Sequence, residues 1–347
     1  MAKALRKEHD FEQFLKVLRR DGKPNHLPFY EHIASPDFMA TRMEITPEEV
    51  NWCDDLFLRR YVDFWVDLGF DCIPLEIPLN CPINVHEAAK ESRGSESGIT
   101  ISTMADFDAY PWPDLSRPIE FSFFEKIGRL MPDGIKIVGG VSGGPFEWVS
   151  WMMGVQGLSM AIYTDPELVE RMFGMIGSLI HSADRQLATM DTVGALRQGD
   201  DLGFKTSTFL NPEHLRQYVF PIYKKMVAEA HAVGKPFVLH SCGNLKEVYD
   251  DLIDDCKIDA KHSFEDQILP VDQFKAQYGQ RVTPLGGLDV DKICRLSHDE
   301  IRAYTRKMVE KCFADGHWAL GTGNSLTDYM PVSNYVVMLE EGIKIAG

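Results

Sequence analysis

The sequence predicts an α/β fold, a single (β/α)8 TIM barrel, and three observations predict it. Short apolar runs alternate with longer amphipathic ones from about residue 26 to the end. Eight such short runs can be counted, and eight strand–helix units close a barrel more naturally than they extend an open sheet. No linker or composition break divides the 347 residues, so 1–347 reads as one barrel domain.

The elements follow in order. One N-terminal helix, Phe11 to Arg20, precedes the first unit. Strands are expected at Leu27 to His32, Phe70 to Leu75, Ile135 to Val141, Gly194 to Gln198, Pro236 to His240, Ile258 to His262, Val282 to Gly286 and Trp318 to Leu320. Helices are expected at Pro47 to Leu68, Glu120 to Met131, Trp148 to Ile162, Pro166 to Met190, Pro212 to Val233, Leu245 to Asp255, Val271 to Tyr278, His298 to Asp315 and Pro331 to Ile345. Several carry starter chemistry: Thr46-Pro47, Asp165-Pro166, Asn211-Pro212, and Ser297 with Glu300, each put a capping side chain before a preset first turn. The Gly-, Ser- and Pro-rich stretch Asn80 to Trp112, with a short strand at Gly98 to Met104, reads as a hairpin insertion after the second strand.

Composition excludes several function classes. Against 36 Lys+Arg stand 52 Asp+Glu, and a net charge of -16 with no basic cluster repels a phosphate backbone, so nucleic acid is no partner. No apolar run reaches membrane-spanning length, and the first residues lack the apolar stretch of a signal peptide, so a cytoplasmic protein is expected. The seven cysteines are odd in number and widely spread, which points to reduced thiols.

The richest segment is Phe237 to Asn244, an apolar strand that ends in His240-Ser241-Cys242. Residues two apart at a strand end project to one side, so the imidazole and the sulfur can meet one zinc ion. The competing reading has His240 hydrogen-bond a substrate and Cys242 fill a small buried space. After the fourth strand, Asp200 and Asp201 place two adjacent carboxylates at a strand end, an arrangement tolerated where a cation or a donor is bound. Their bland alternative is a turn leading to the Asn211 cap. Glu76 follows the second strand at the rim where barrel chemistry occurs, its alternative role being an ion pair with a nearby Arg. Glu31 and His32 after strand one, His262 and Glu265 after strand six, and Asp289 after strand seven extend a pocket of acids and imidazoles. Trp148, Trp151, Met152 and Met153 offer a soft apolar wall, although core packing is the commoner use of such spacing.

Gly144-Pro145-Phe146-Glu147-Trp148 with Trp151 and Gly154, Gly199-Asp200-Asp201 leading to Asn211-Pro212-Glu213, His240-Ser241-Cys242-Gly243, Gly286-Gly287-Leu288-Asp289 and the tail from Ala319 to Asn324 together resemble the uroporphyrinogen decarboxylase superfamily. The likeness spans nearly the whole chain. It implies one of two activities: decarboxylation of a tetrapyrrole's acetate side chains, or methyl transfer between a corrinoid protein and a thiol or related acceptor. It also places Phe146, Trp151 and Asn324 among the substrate-facing residues, and implies a homodimer.

Where the decarboxylases carry an Arg-rich stretch after strand one, this chain reads Phe29-Tyr30-Glu31-His32-Ile33. Their Asp after strand two corresponds to Glu76, their tyrosine to Trp151, and their late His falls at Gly321-Thr322-Gly323. An acidic, Arg-poor mouth disfavours a substrate with many carboxylates. The methyltransferase branch holds zinc with a His-x-Cys pair, matched by His240 and Cys242, and a late Cys that is absent here. A third ligand must then come from Glu76, Asp200, Asp201, His262 or another rim residue. The expected function is therefore metal-assisted methyl transfer linked to a corrinoid-binding protein. In it His240 and Cys242 hold zinc, Asp200 or Asp201 completes or orients the site, and Glu76 handles a proton or ligates. The alternative is a metal-free decarboxylase acting on a tetrapyrrole-like small molecule or another acid.

Overall fold

The computed structural model describes residues 4–83, 99–116 and 120–346. Helix α1 (Phe11–Arg19) comes first; α2 (Pro36–Met43) and α3 (Asp55–Asp67) lead to β1 (Cys72–Ile77). After α4 (Met104–Ala109) and α5 (Ser122–Leu130) comes β2 (Lys136–Val141), and after α6 (Pro145–Met153), α7 (Val155–Thr164) and α8 (Pro166–Thr189) comes β3 (Val193–Gly199). Next are α9 (Pro212–His214), α10 (Phe220–Ala232), β4 (Phe237–His240) and β5 (Ala260–His262). The chain ends with α11 (Val271–Tyr278), β6 (Thr283–Pro284), α12 (Val290–Arg295), α13 (His298–Cys312) and α14 (Val332–Ala346).

The six strands pair in parallel and in chain order. Single parallel bridges continue the sheet from Leu285 to Ala319 and from Leu320 to Phe29. The first and eighth staves, expected as full strands, are thus held by isolated bridges. Pro28 explains part of this, since it has no N–H and only accepts, from Leu320 N–H at 2.9 Å.

The interior is layered as a period-two pattern demands. One residue from each of eight staves, Tyr30, Cys72, Val138, Ala195, Val238, Ala260, Leu285 and Ala319, packs into a single buried cluster with Phe11, Phe14, Val17 and Leu18 of α1. That helix stoppers the N-terminal end of the strands. Burying Phe14 there contributes roughly 1.5–3 kcal/mol. Two residues further along the same staves stand His32, Arg197, His240 and His262, all buried. The alternation that fills the floor with hydrocarbon therefore aims imidazole and guanidinium side chains at the layer above.

Several elements differ from expectation. The helix expected over Pro47 to Leu68 is a 3-10 turn (Pro47–Glu49) followed by α3, because Asp54 caps a fresh start through Leu56 N–H at 2.9 Å. Gly154, at φ 74°, divides Trp148 to Ile162 into α6 and α7. Between α9 and α10 the backbone takes a π-helical turn, Leu215–Val219, before Pro221, whose missing N–H cannot sustain the regular ladder. Leu245 to Asp255 ends as another π-helical turn, Asp251–Asp255. Helix α2, with Ser35 accepting from Phe38 N–H at 3.2 Å ahead of Pro36, has the same starter chemistry as the anticipated helices but was not among them. The strand expected at Gly98 to Met104 is not formed over 99–103, where Thr100 and Ile101 N–H bond the Met152 carbonyl at the end of α6 and α4 then begins. The rest of the expected insertion, 84–98, lies outside the described residues. Among those described, no helix is long and apolar enough to cross a membrane.

Candidate metal and catalytic centre

At the C-terminal end of β4, His240 Nε2 lies 3.5 Å from Cys242 Sγ and 3.8 Å from Asp201 Oδ1. One ligand atom from each of the three lies within 4.8 Å of the others. Local backbone contacts place them. Asp200 N–H bonds the His240 carbonyl at 2.9 Å, and Leu202 N–H bonds Ser241 Oγ at 3.2 Å. Cys242 N–H bonds Asp201 Oδ1 at 2.9 Å. Gly243, at φ 87°, lets the loop after β4 cross the loop after β3, where a Cβ would lie 2.1 Å from Gly203 carbon.

Hydrogen bonds determine which nitrogen of His240 is free. His262 Nε2 lies 3.1 Å from the Thr322 carbonyl, an acceptor, so Nε2 carries the proton. Burial lowers the pKa of His262 to about 3, so the ring is neutral and its Nδ1 accepts. His240 Nδ1, 2.7 Å away, must donate to it. Burial also keeps His240 neutral, which leaves its Nε2 lone pair facing Cys242 and Asp201. This is the tautomer a metal requires.

The donor set fits zinc. Ligand bonds of about 2.3 Å to sulfur and about 2.05 Å to nitrogen, at a tetrahedral angle, imply an N···S edge of about 3.6 Å. The 3.5 Å between His240 and Cys242 matches it. Burial pushes the Cys242 thiol well above its usual range, and the nearby Asp201 adds to the shift. A divalent cation is the partner that would offset both. Asn324 Nδ2 donates to the same sulfur at 3.4 Å, from the tail segment Gly321-Thr322-Gly323-Asn324 within which the family resemblance would put the absent Cys.

Beside this cluster, the His32 ring stacks on His240 with centroids 3.7 Å apart. Arg197 donates to His32 Nδ1 at 2.9 Å, so His32 Nε2 carries the proton and lies 3.7 Å from Glu76 Oε1. Arg197 also pairs with Glu76 at 2.7 Å. Burial raises the Glu76 pKa and the guanidinium opposes the rise. Arg197 was missed in the sequence, although a cation inside the apolar strand Ala195-Leu196-Arg197 was a readable signal of a buried partner.

The two adjacent aspartates separate in role. Asp200 accepts from Phe146 N–H at 3.1 Å, Glu147 N–H at 2.8 Å and Tyr223 Oη at 2.7 Å, anchoring the start of α6. Burial nonetheless raises its pKa to about 7. Gly144 permits this approach, since a Cβ there would lie 2.2 Å from the Asp200 side chain. Phe146 is buried and stacks on Phe209 at 5.7 Å. Glu31 is fully buried and accepts from Thr322 N–H at 2.7 Å, with burial raising its pKa to about 8. Asp289 caps α12 through Lys292 N–H at 2.9 Å. Trp151 lines a cavity beside Trp148 and Cys81. Glu265 and Asp289 line a separate cavity that Asn324 also reaches.

The family profile described as Uroporphyrinogen decarboxylase (URO-D) matches residues 80–343. A uroporphyrinogen decarboxylase of Myxococcus xanthus (strain DK1622) is 22% identical over 303 residues, covering 83% of each chain. Among solved structures, a methyltransferase from Methanosarcina mazei superposes with a TM-score of 0.71 over 97% of this chain and 99% of its own, at 15% identity. At that identity the superposition speaks for the fold.

Proposed function

The chain belongs to the uroporphyrinogen decarboxylase family, and from that premise we propose that it is a metal-assisted methyltransferase that moves a methyl group from a corrinoid carried by a partner protein to a thiol or related acceptor. The observation that carries the reading is the pairing of His240 Nε2 with Cys242 Sγ at 3.5 Å, its lone pair directed there by His262. His240, Cys242 and Asp201 would hold the zinc, which when bound lowers the pKa of an acceptor thiol and presents it as thiolate.

The protein's own groups do the rest. Asn324 donates to the Cys242 sulfur and tempers its charge. Glu76, with its raised pKa and its Arg197 partner, receives the proton the thiol gives up. The acceptor sulfur then forms its bond to the methyl carbon, and the donor keeps the electron pair of the bond that breaks. The apolar floor beneath His32 and His240 excludes water from one side of the site.

Metal analysis tests this. Protein purified without chelator carries stoichiometric zinc, and Cys242→Ala loses it; a metal-free wild type, or a Cys242→Ala variant with unchanged content, ends the reading. The curated relative supports decarboxylation as a second reading. Incubation with uroporphyrinogen separates the two, since partly decarboxylated products arise only under the second.

A further inference from the structure

The barrel mouth holds a cavity of about 630 Å³ between the first stave and β1, within the range that takes a small organic molecule. Among the described residues no backbone bridge joins these two staves, so side chains close the wall there. Met39 of α2, Trp52, Tyr61 of α3, Leu75 of β1 and Phe123 of α5 are among them. The floor is the Glu76–Arg197 pair. None of His240, Cys242 and Asp201 lines the cavity, but its floor approaches them through side chains: Glu76 lies 3.7 Å from His32, whose ring stacks on His240.

The charges of this cavity select its occupant. Among the described residues lining it, Arg197 is the only Lys or Arg, and its guanidinium already pairs with Glu76 and bonds His32. An anionic ligand would meet Glu76, and Glu120 at the rim, with no unpaired Lys or Arg among the described lining residues. A cationic ligand would compete with Arg197 for Glu76 and leave a buried guanidinium unpaired. An uncharged molecule loses neither, and its apolar body replaces water against aromatic and aliphatic wall.

We propose that this cavity seats the methyl acceptor, and that the acceptor is an uncharged organic thiol or thioether with an aryl or branched-alkyl body, carrying no carboxylate, sulfonate or phosphate. The assignment of the occupant as acceptor rests on the methyl-transfer reading above. The cavity's preference for an uncharged, apolar-bodied ligand does not.

Calorimetric titration of the intact protein with three probes of similar shape tests it: 3-phenylpropanethiol, 4-phenylbutyrate and trimethyl(2-phenylethyl)ammonium. The neutral thiol is expected to bind at least about tenfold more tightly than either ion, roughly the 1.4 kcal/mol that a poorly paired charge costs. Ala34→Phe, at a residue lining the cavity, fills it and should weaken the thiol by a similar factor while leaving zinc content unchanged. Equal or tighter binding of either ion, no binding of the thiol, or thiol binding indifferent to Ala34→Phe overturns the proposal. If Ala34→Phe unfolds, Met39→Trp serves as the filling variant. Because the readout is binding, a metal-free protein that still binds the thiol sinks the methyl-transfer reading and with it the occupant's role as acceptor, leaving the cavity's ligand preference standing, and a zinc protein that ignores the thiol sinks this proposal alone.

Discussion

His262 touches none of the proposed metal ligands except His240, yet it should govern zinc affinity. In His262→Phe the ring volume is retained, while the Nδ1 acceptor for His240 and the Nε2 donor to Thr322 are both removed. His240 is then free to carry its proton on Nε2, which blocks the lone pair, or to swing about its side-chain torsions. Loss of such a supporting contact weakens metal binding about 10- to 100-fold, roughly 1.4–2.7 kcal/mol. Competition against a fluorescent zinc chelator at neutral pH reads this directly. His262→Gln is the control, because its carboxamide oxygen can accept from His240 and its amide can donate to Thr322, and it should restore affinity to within a few-fold. Wild-type zinc affinity in His262→Phe refutes the argument. So does a nitrogen-15 spectrum of the apoprotein that finds the His240 proton on Nε2.

Three further outcomes follow from the same geometry. Asp200→Ala leaves the Phe146 and Glu147 N–H groups and the Tyr223 hydroxyl without their acceptor, so chemical denaturation should find it about 2–4 kcal/mol less stable, with Asp200→Asn recovering much of the loss. Arg197→Met strands Glu76 in a buried site and should cost about 3–5 kcal/mol; the loss should shrink in the double variant with Glu76→Gln, and a purely additive double variant would argue against the pair. The contribution of the buried acids to stability, measured with chelator present, should fall as pH rises from about 5 to 8, while His32, His240 and His262, held neutral in the fold, oppose it below about 6.5. Glu31 is raised from 4.5 to about 8, so the folded protein keeps a proton that the unfolded chain loses across that window. Asp184, whose buried carboxylate oxygens have no hydrogen-bond partner among the described residues, is raised as well and acts in the same direction. Glu31→Gln combined with Asp184→Asn should flatten the decline, by an amount of order a few kcal/mol at pH 8.

Much of the site could be read from local pattern. The hydrocarbon run Phe237 to Leu239 ends in His240-Ser241-Cys242, and a spacing of two at a strand end is sufficient to predict one shared face for His240 and Cys242. Asp201 was visible as a candidate ligand, but adjacency to Asp200 hid which carboxylate turns toward the sulfur. That depends on the Gly203–Gly243 crossing and on the start of α6, which claims Asp200. Glu31 and His262 had the right residue types for a pocket, yet both are consumed by Thr322, a residue about 290 positions from Glu31 and about 60 from His262.

The amino-acid order by itself determined the periodicities and starter residues, and with them the α/β alternation, the parallel staves and the end of the barrel that carries polar side chains. Only the tertiary structure decided partners: Arg197 with Glu76, His262 with His240, Asp200 with the first turn of α6. Periodicity acts within a few residues and is written along the chain. Desolvated charges and hydrogen bonds are settled by whichever groups the folded chain brings within about 3 Å, and sequence separation does not encode that distance.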